Sequence, residues 1–342
     1  MILNDRTGTM SAKPKVAVIG TGGTICSIGT GPFDILDYGA NERMMHADEV
    51  VAMFPEVAEH AEIIAVPFKA VPSPDIYFPE WKALVELCDD LVAKHPDLAG
   101  IVILHGTASL EETAYVLGLT VKVSIPVVVV GSQRPASGYS TDAGMNLANA
   151  VRTAAAPQSR GLGVLVLLND EIHAAREVTK TSTFRLQTFR TPDFGVLGHA
   201  DGDAIVYYRK PIRRSTPDTE FDLRSLDGLP RVDIVYAYTG SDGTATRAFL
   251  AAGARGVISA GFAPGFAGKA EFEVMKQGVH DGVVVMQSTR AGSGRTFKGK
   301  RLHEAGVLIA DNLNPQKARI LLALALTVTS DPVEIERIFL TY

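Results

Sequence analysis

Four short runs of branched aliphatic residues, Val16–Ile19, Ile101–Leu104, Val127–Val130 and Val164–Leu168, constrain this chain more than any other feature. Each run is continuous rather than alternating, and each is bounded by turn residues. A strand with water on one face alternates polar and apolar side chains, whereas a strand covered on both faces does not. The runs therefore predict buried parallel strands, which need crossover connections, usually helices. Helical spacing lies between them. In PEWKALVELCDDLVAK, Trp81, Leu84, Val85, Cys88, Leu91 and Val92 share one face, and Pro96 follows the end. Strand and helix in alternation imply an α/β doubly wound domain.

The stretch RKPIRRSTPDTEFDLRSLDGLP, from Arg209 to Pro230, is charged and proline-bearing without sustained periodicity, and reads as a linker. Beyond it the rhythm restarts on a smaller scale with VDIVYAYTG, GVISAGF and GVVVMQS. It closes on NPQKARILLALALTV, where Asn314 suits an N-cap, Pro315 suits the first helical position, and the helix is apolar on nearly all sides and so expected to be buried. The expected division is an N-terminal extension over 1–14, an α/β catalytic domain over 15–208, a linker over 209–230 and a C-terminal α/β domain over 231–342. With 342 residues, 46% of them hydrophobic, the chain has enough apolar material for two cores.

Composition narrows the partners. A formal net charge of -5 without a dense basic stripe argues against nucleic acid. No apolar run approaches the roughly 18 residues of a membrane span. The opening MILNDRTGTMSAKPK lacks the basic and apolar regions of a secretory leader, so a cytoplasmic location is expected. Cys26 and Cys88 lie far apart without metal-ligand spacing and read as two buried, reduced thiols.

In open parallel sheets ligands bind beyond the carboxyl ends of strands, so the residues after each run carry the chemistry. After the first run comes GTGGTI, whose Gly20, Gly22 and Gly23 allow a tight turn that presents Thr21 or Thr24. A dinucleotide fingerprint fails there because Ile25 holds the sixth place, and a phosphate loop fails for want of lysine. After the second run comes HGTASLEET, which sets Gly106 and Thr107 at a strand end. Ser109 and Glu112 have the spacing of a capping box, and capping also accounts for Glu111. His105 reads as a structural histidine bonding the turn, since no cysteine, second histidine or carboxylate accompanies it at metal spacing. Arg134 and Asp142 after the third run are either a local ion pair shaping the loop or part of a site. Lys180, in REVTKTST, is either a solvated charge or, if buried, a base toward a neighbouring hydroxyl.

Five segments in order, TGGTI (21–25), HGTASLEETA (105–114), GSQRP with STDAGMNLANAV, REVTKTST and LNPQKARILL, resemble the bacterial-type L-asparaginases over nearly the whole chain. The resemblance implies a large N-terminal domain on a parallel or mixed sheet, a smaller C-terminal parallel-sheet domain, and a homotetramer built as a dimer of dimers with sites between subunits. It implies hydrolysis of a side-chain amide to acid and ammonia without metal or cofactor. By motif position Thr24 matches the nucleophile, Tyr38 the tyrosine that activates it, and Thr107 and Lys180 the second threonine and its lysine. Ser73 matches the serine that grips an α-carboxylate, and Gly23, Gly106 and Ala108 line the substrate.

The departures are equally specific. The family reads HGTD where this chain has His105, Gly106, Thr107 and Ala108, so the aspartate that pairs with the substrate α-ammonium is missing. Pro74 stands where a polar ligand of that amino group is usual, and the segment in which the neighbouring subunit donates a glutamate reads RTFKGKRLHEAG. A buried ammonium without partners costs several kcal/mol. The departures thus predict an amidohydrolase whose substrate lacks a free α-ammonium. Ordinary L-asparaginase or glutaminase activity is the alternative, and a catalytically silent ligand-binding homologue the third reading. Asp142 and Glu111 are candidates to replace the missing carboxylate beside Lys180.

Overall fold

The computed structural model describes residues 12–41 and 43–342. The first eleven residues, and with them most of the 1–14 extension and the stretch on which the expected location rests, lie outside them. The N-terminal part contributes strands β1 (Lys15–Gly20), β2 (Glu62–Val66), β3 (Leu98–Leu104), β4 (Val127–Val130), β5 (Val164–Leu168), β6 (Glu171–Ala174), β7 (Thr179–Lys180), β8 (Phe189–Arg190), β9 (Gly198–Ala200) and β10 (Ile205–Tyr207). Eight of these form one sheet in the order β10-β9-β6-β5-β4-β3-β1-β2, while β7 and β8 pair separately as an antiparallel ribbon. The sheet is parallel from β2 through β5 and antiparallel from β5 outward through β10. The four aliphatic runs fall in β1, β3, β4 and β5 as expected. Strands β2, β6, β9 and β10 escape the periodicity because they are only three to five residues long, and His interrupts the apolar positions of β6 and β9.

Why the runs are continuous is visible in the packing. Helices α1 (Ala47–Met53), α2 (Phe78–Lys94), α3 (Leu110–Thr120) and α4 (Ala143–Ala155) cover both faces. Ala17, Ile19, Ile101 and Ile103 pack with Trp81, Leu84, Cys88 and Leu117, while Val16, Val18, Val102 and Leu104 pack with Val50, Leu147 and Val151. Alternate residues of each run thus meet apolar neighbours on opposite faces of the sheet. Cys26 and Cys88 are free and buried, and burial pushes both thiols up to about 12.

The second sheet is fully parallel, β11 (Val232–Tyr236), β12 (Gly256–Gly261), β13 (Val284–Thr289) and β14 (Leu308–Ile309), in that order. Its helices are α5 (Thr244–Ala251), α6 (Lys269–His280), α7 (Lys300–Glu304), α8 (Pro315–Val328) and α9 (Pro332–Thr341). Asn314 caps α8 by accepting from the Lys317 N–H at 3.0 Å, with Pro315 in the first helical position. Ala318 and Ile320–Ala325 are buried, in one cluster that also holds Ile258 and Met286 of the second sheet and residues of α2 and α3. The two domains therefore share a core through α3 and α8.

Residues 209–230 join the sheets without a strand, but they are fastened down. The Thr216 N–H donates to the Gly118 carbonyl at 2.8 Å, Lys122 Nζ donates to the Thr219 carbonyl at 2.8 Å, and Phe221 and Leu223 enter the shared core.

Candidate active site

The chain leaves β1 for β2 on one side, then returns to place β3 on the other and continues outward to β4 and β5. Strand order reverses between β1 and β3, where a doubly wound sheet opens a crevice beyond its carboxyl ends. The turns GTGGT and HGT flank that crevice. Thr21 is spent on fastening them, because both its N–H (3.0 Å) and its hydroxyl (2.8 Å) donate to the Leu104 carbonyl. Of the two threonines in the first turn, Thr24 is the one left to face the cavity.

The glycines are required by contact. Gly23 has φ +87°, and a Cβ there would lie 2.1 Å from Gly106 Cα. A Cβ on Gly106 would in turn lie 2.7 Å from Ser73 Oγ. The two turns thus meet backbone to backbone, the Ser73 side chain packs against Gly106, and Thr24, Thr107 and Ser73 enter the same space.

That space is a cavity of about 590 Å³ lined by Gly23, Thr24, Ser27, Tyr38, Gly39, Arg43, Met44, Pro72, Ser73, Gly106, Thr107, Ala108 and Lys180. The volume suits a small-molecule site. All eight residues named in advance for the site are on its wall. Thr24 Oγ1 lies 2.7 Å from the Tyr38 hydroxyl, and Lys180 Nζ donates to Thr107 Oγ1 at 2.8 Å. Both threonines are nearly buried, at 8% and 7% exposure, so their hydroxyls sit away from bulk water.

Lys180 is half-buried rather than solvated, which decides between its two readings. Burial lowers its ammonium from the ordinary lysine value, and the charge of Glu111 opposes that effect in part. Among the described residues, no carboxylate lines the cavity, whereas Arg43 and Lys180 do. Arg43 stands at its exposed rim, paired with Glu49 at 2.9 Å.

Other expectations are corrected. Ser109 and Glu112 form no capping box: the Ser109 hydroxyl donates to the Ser73 carbonyl at 2.5 Å instead, tying the Ser73 segment to the start of α3. Arg134 and Asp142 make no ion pair. The Asp142 carboxylate accepts the N–H groups of Gln133 (2.9 Å) and Arg134 (3.0 Å), and the Arg134 guanidinium donates to the Ser140 carbonyl. Asp142 shapes a loop through backbone, and it does not line the cavity. Glu111 is no mere capping residue. It is buried, and it accepts from the Thr179 hydroxyl (3.1 Å) and the Lys180 N–H (3.2 Å) on one oxygen and from Asn314 Nδ2 (3.0 Å) on the other. His105 is fully buried, bonds the Gly106 carbonyl through Nδ1 at 2.8 Å, and is held neutral by burial, which lowers it to about 4.

Two participants had gone unread. Met44 accepts the Gly23 N–H at its sulfur (3.3 Å), a contact that no pattern announces. Lys317 is 1% exposed and donates to the carbonyls of Ala175 (2.9 Å), Arg176 (3.1 Å) and Val178. A lysine in a helix apolar on all other sides was the available signal.

Comparison with known proteins follows the same lines. Residues 15–213 match the family model described as asparaginase, N-terminal, and residues 231–339 match that of the glutaminase/asparaginase C-terminal domain. The chain is 39% identical over 328 residues to a probable periplasmic L-asparaginase of Haemophilus influenzae, covering 95% of this chain and 92% of the relative. It is 37% identical over 338 residues to L-asparaginase 2 of Escherichia coli (98% and 95% covered) and 35% identical over 341 residues to a glutaminase-asparaginase of Pseudomonas fluorescens (98% and 92%). A crystal structure of a probable cytoplasmic L-asparaginase from Campylobacter jejuni superposes with a TM-score of 0.91 at 35% identity, covering 96% of this chain and all of that one.

Proposed function

This chain belongs to the asparaginase/glutaminase family of amidohydrolases, and from that premise we propose that it cleaves the side-chain amide of L-asparagine or L-glutamine through Thr24. The observation that carries the reading is the pair of hydrogen-bonded hydroxyls in one cavity, Thr24 with Tyr38 and Thr107 with Lys180. An alcohol is a weak nucleophile at neutral pH and needs a base to take its proton. Thr24 Oγ1 attacks the amide carbonyl as its proton passes to the Tyr38 oxygen and the Tyr38 hydroxyl proton passes to the amide nitrogen, the C–N bond breaks, and ammonia leaves. A water, giving its proton through Thr107 to neutral Lys180, then attacks the acyl-threonine ester; the bond from the acyl carbon to Thr24 Oγ1 breaks, Oγ1 regains a proton, and the acid is freed. Thr24 opens a short turn whose first N–H groups lack intrahelical acceptors, and these suit the oxyanion.

The names of the relatives favour asparagine and glutamine over the altered specificity that Ala108 and Pro74 suggest. One observation keeps the second reading: no described residue of the cavity wall offers a carboxylate to an α-ammonium. In that reading a monoamide such as succinamate, or an N-acylated asparagine, is the better substrate. Ser73, whose hydroxyl faces the cavity, would hold its carboxylate in either case. We further propose a homotetramer by the family's pattern, with sites completed between subunits, and a cytoplasmic location like that in the name of the Campylobacter jejuni relative. Ammonia release from L-asparagine, L-glutamine, succinamate and N-acetyl-asparagine, with Thr24→Ala as control, tests all three readings. Asparagine or glutamine turned over best supports the first, succinamate or the acylated amide the second, and no turnover of any amide refutes both and leaves a silent binding protein.

A further inference from the structure

The Lys180–Thr107 pair is held from behind by a buried polar cluster that the reaction itself does not use. Glu111 on α3 accepts the backbone N–H of Lys180 and the hydroxyl of Thr179. Its second oxygen accepts from Asn314, the cap of α8, and lies 3.9 Å from Lys317 Nζ. Lys317 in turn gathers the carbonyls of Ala175, Arg176 and Val178, the stretch leading into β7. Lys180 therefore stands on a strand of two residues, gripped at its own N–H by Glu111 of the large domain and again just upstream by Lys317 of the small one.

We infer that Glu111 is the positioning residue for Lys180, fixing its backbone so that Nζ meets Thr107, and that Asn314 and Lys317 carry this support from the C-terminal domain. The inference rests on the hydrolytic reading above and assigns Glu111 no contact with substrate. Two facts argue for it over a purely structural role. A ribbon as short as β7–β8 has little ladder of its own to fix a side chain, since only Thr179–Arg190 and Lys180–Phe189 pair. And a carboxylate is costly to bury unless its acceptors are filled, yet here the acceptors are filled by the residues that flank and include Lys180. The other charged groups near the pair are Glu112 on α3, Arg319 on α8, and Arg176 and Glu177 on the stretch before β7, with Arg43 across the cavity.

The test separates positioning from packing. Glu111→Gln keeps shape and removes charge, and Glu111→Gln/Lys317→Met removes both partners of the buried pair, so that no unpaired ammonium is left to unfold the chain. If Glu111 positions Lys180, the double variant keeps the parent Tm within a few degrees yet loses roughly 10–100-fold in kcat with KM nearly unchanged, as expected for a misplaced general base. The Lys180 ammonium, followed by side-chain nitrogen NMR in full-length protein, titrates lower in both variants because a neighbouring negative charge is gone. A double variant with parent kcat, or a Lys180 titration that does not move, overturns the inference. If the parent hydrolyses no amide at all, the functional reading has failed, and loss or retention of the Lys180–Thr107 hydrogen bond, read from the Lys180 side-chain nitrogen shift of the double variant, still decides the role of Glu111.

Discussion

Replacing Gly23 by alanine should damage catalysis far more than one methyl group suggests. The new Cβ would lie 2.1 Å from Gly106 Cα, so the two turns would have to part by about 1.3 Å to reach an ordinary 3.4 Å contact. Neither side can yield cheaply, because both atoms in collision belong to backbone, and φ at +87° adds strain for any L side chain. The conformational penalty is about 1 kcal/mol and overpacking costs ~1–3 kcal/mol, so stability should fall by roughly 2–4 kcal/mol. For a chain of this size that is a Tm lower by about 3–6 °C. A displacement near 1 Å between reacting groups costs about 10²-fold in rate. Ammonia release and thermal unfolding, measured beside Gly202→Ala, where a Cβ meets nothing within 4 Å, provide the comparison. Activity within threefold of the parent and an unmoved Tm would show that the turns carrying Thr24 and Thr107 do not depend on this contact.

Thr24→Ala and Thr107→Ala should each lower kcat/KM by ~10³-fold or more, and the double variant should be little worse than either, because groups acting as a unit are not additive; multiplicative losses would separate the two threonines into independent roles. Burial lowers the Lys180 ammonium from 10.5, and only its neutral form can accept a proton, so activity should rise with pH along a limb below the ordinary lysine range. Lys180→Arg, which cannot deprotonate, should lose ~10²–10⁴-fold and that limb with it; an unchanged pH–rate profile in the variant would exclude Lys180 as the base. Lys317 is lowered to about 8 by burial, the Glu111 charge opposing. Between about 8 and 10.5 the unfolded chain keeps a proton that the folded one has released, so this residue makes stability rise with pH across that window, by up to ~3 kcal/mol. Urea unfolding of the parent and of Lys317→Met at about pH 8 and about pH 9.5 should show the gain in the parent only, and equal gains would contradict the assignment.

Much of this architecture was legible because packing on two faces leaves a strong mark: β4 and β5 coincide with their valine and leucine runs, and Asn314–Pro315 opens α8 as its chemistry requires. The antiparallel β6, β9 and β10 left no such mark, since short strands at a sheet's margin need not be continuously apolar. At the site, residues after strands were found from position alone. What failed was local arithmetic: Ser109 has the spacing of a cap, but a carbonyl from a segment 36 positions away claimed its hydroxyl. Glu111 does stand in the first turn of α3, as capping allows, and it was also a candidate carboxylate beside Lys180, yet spacing says nothing of its partners, which lie 68, 69 and 203 positions away. Spacing rules describe neighbours in the chain, and a long-range acceptor or donor overrides them whenever it is better placed.

The reversal of strand order beside β1 divides labour in a way that bears on how such a protein can change. Thr24 and Thr107 issue from adjacent central strands stitched together through Thr21, whereas Tyr38 and Lys180 arrive on excursions outside the main sheet. Substitutions in those excursions can alter when and how strongly each alcohol is activated while its spacing from the other stays constant. A lineage built on this plan is free to exchange proton donors and acceptors, or the shape of what they serve, without renegotiating the centre of the molecule.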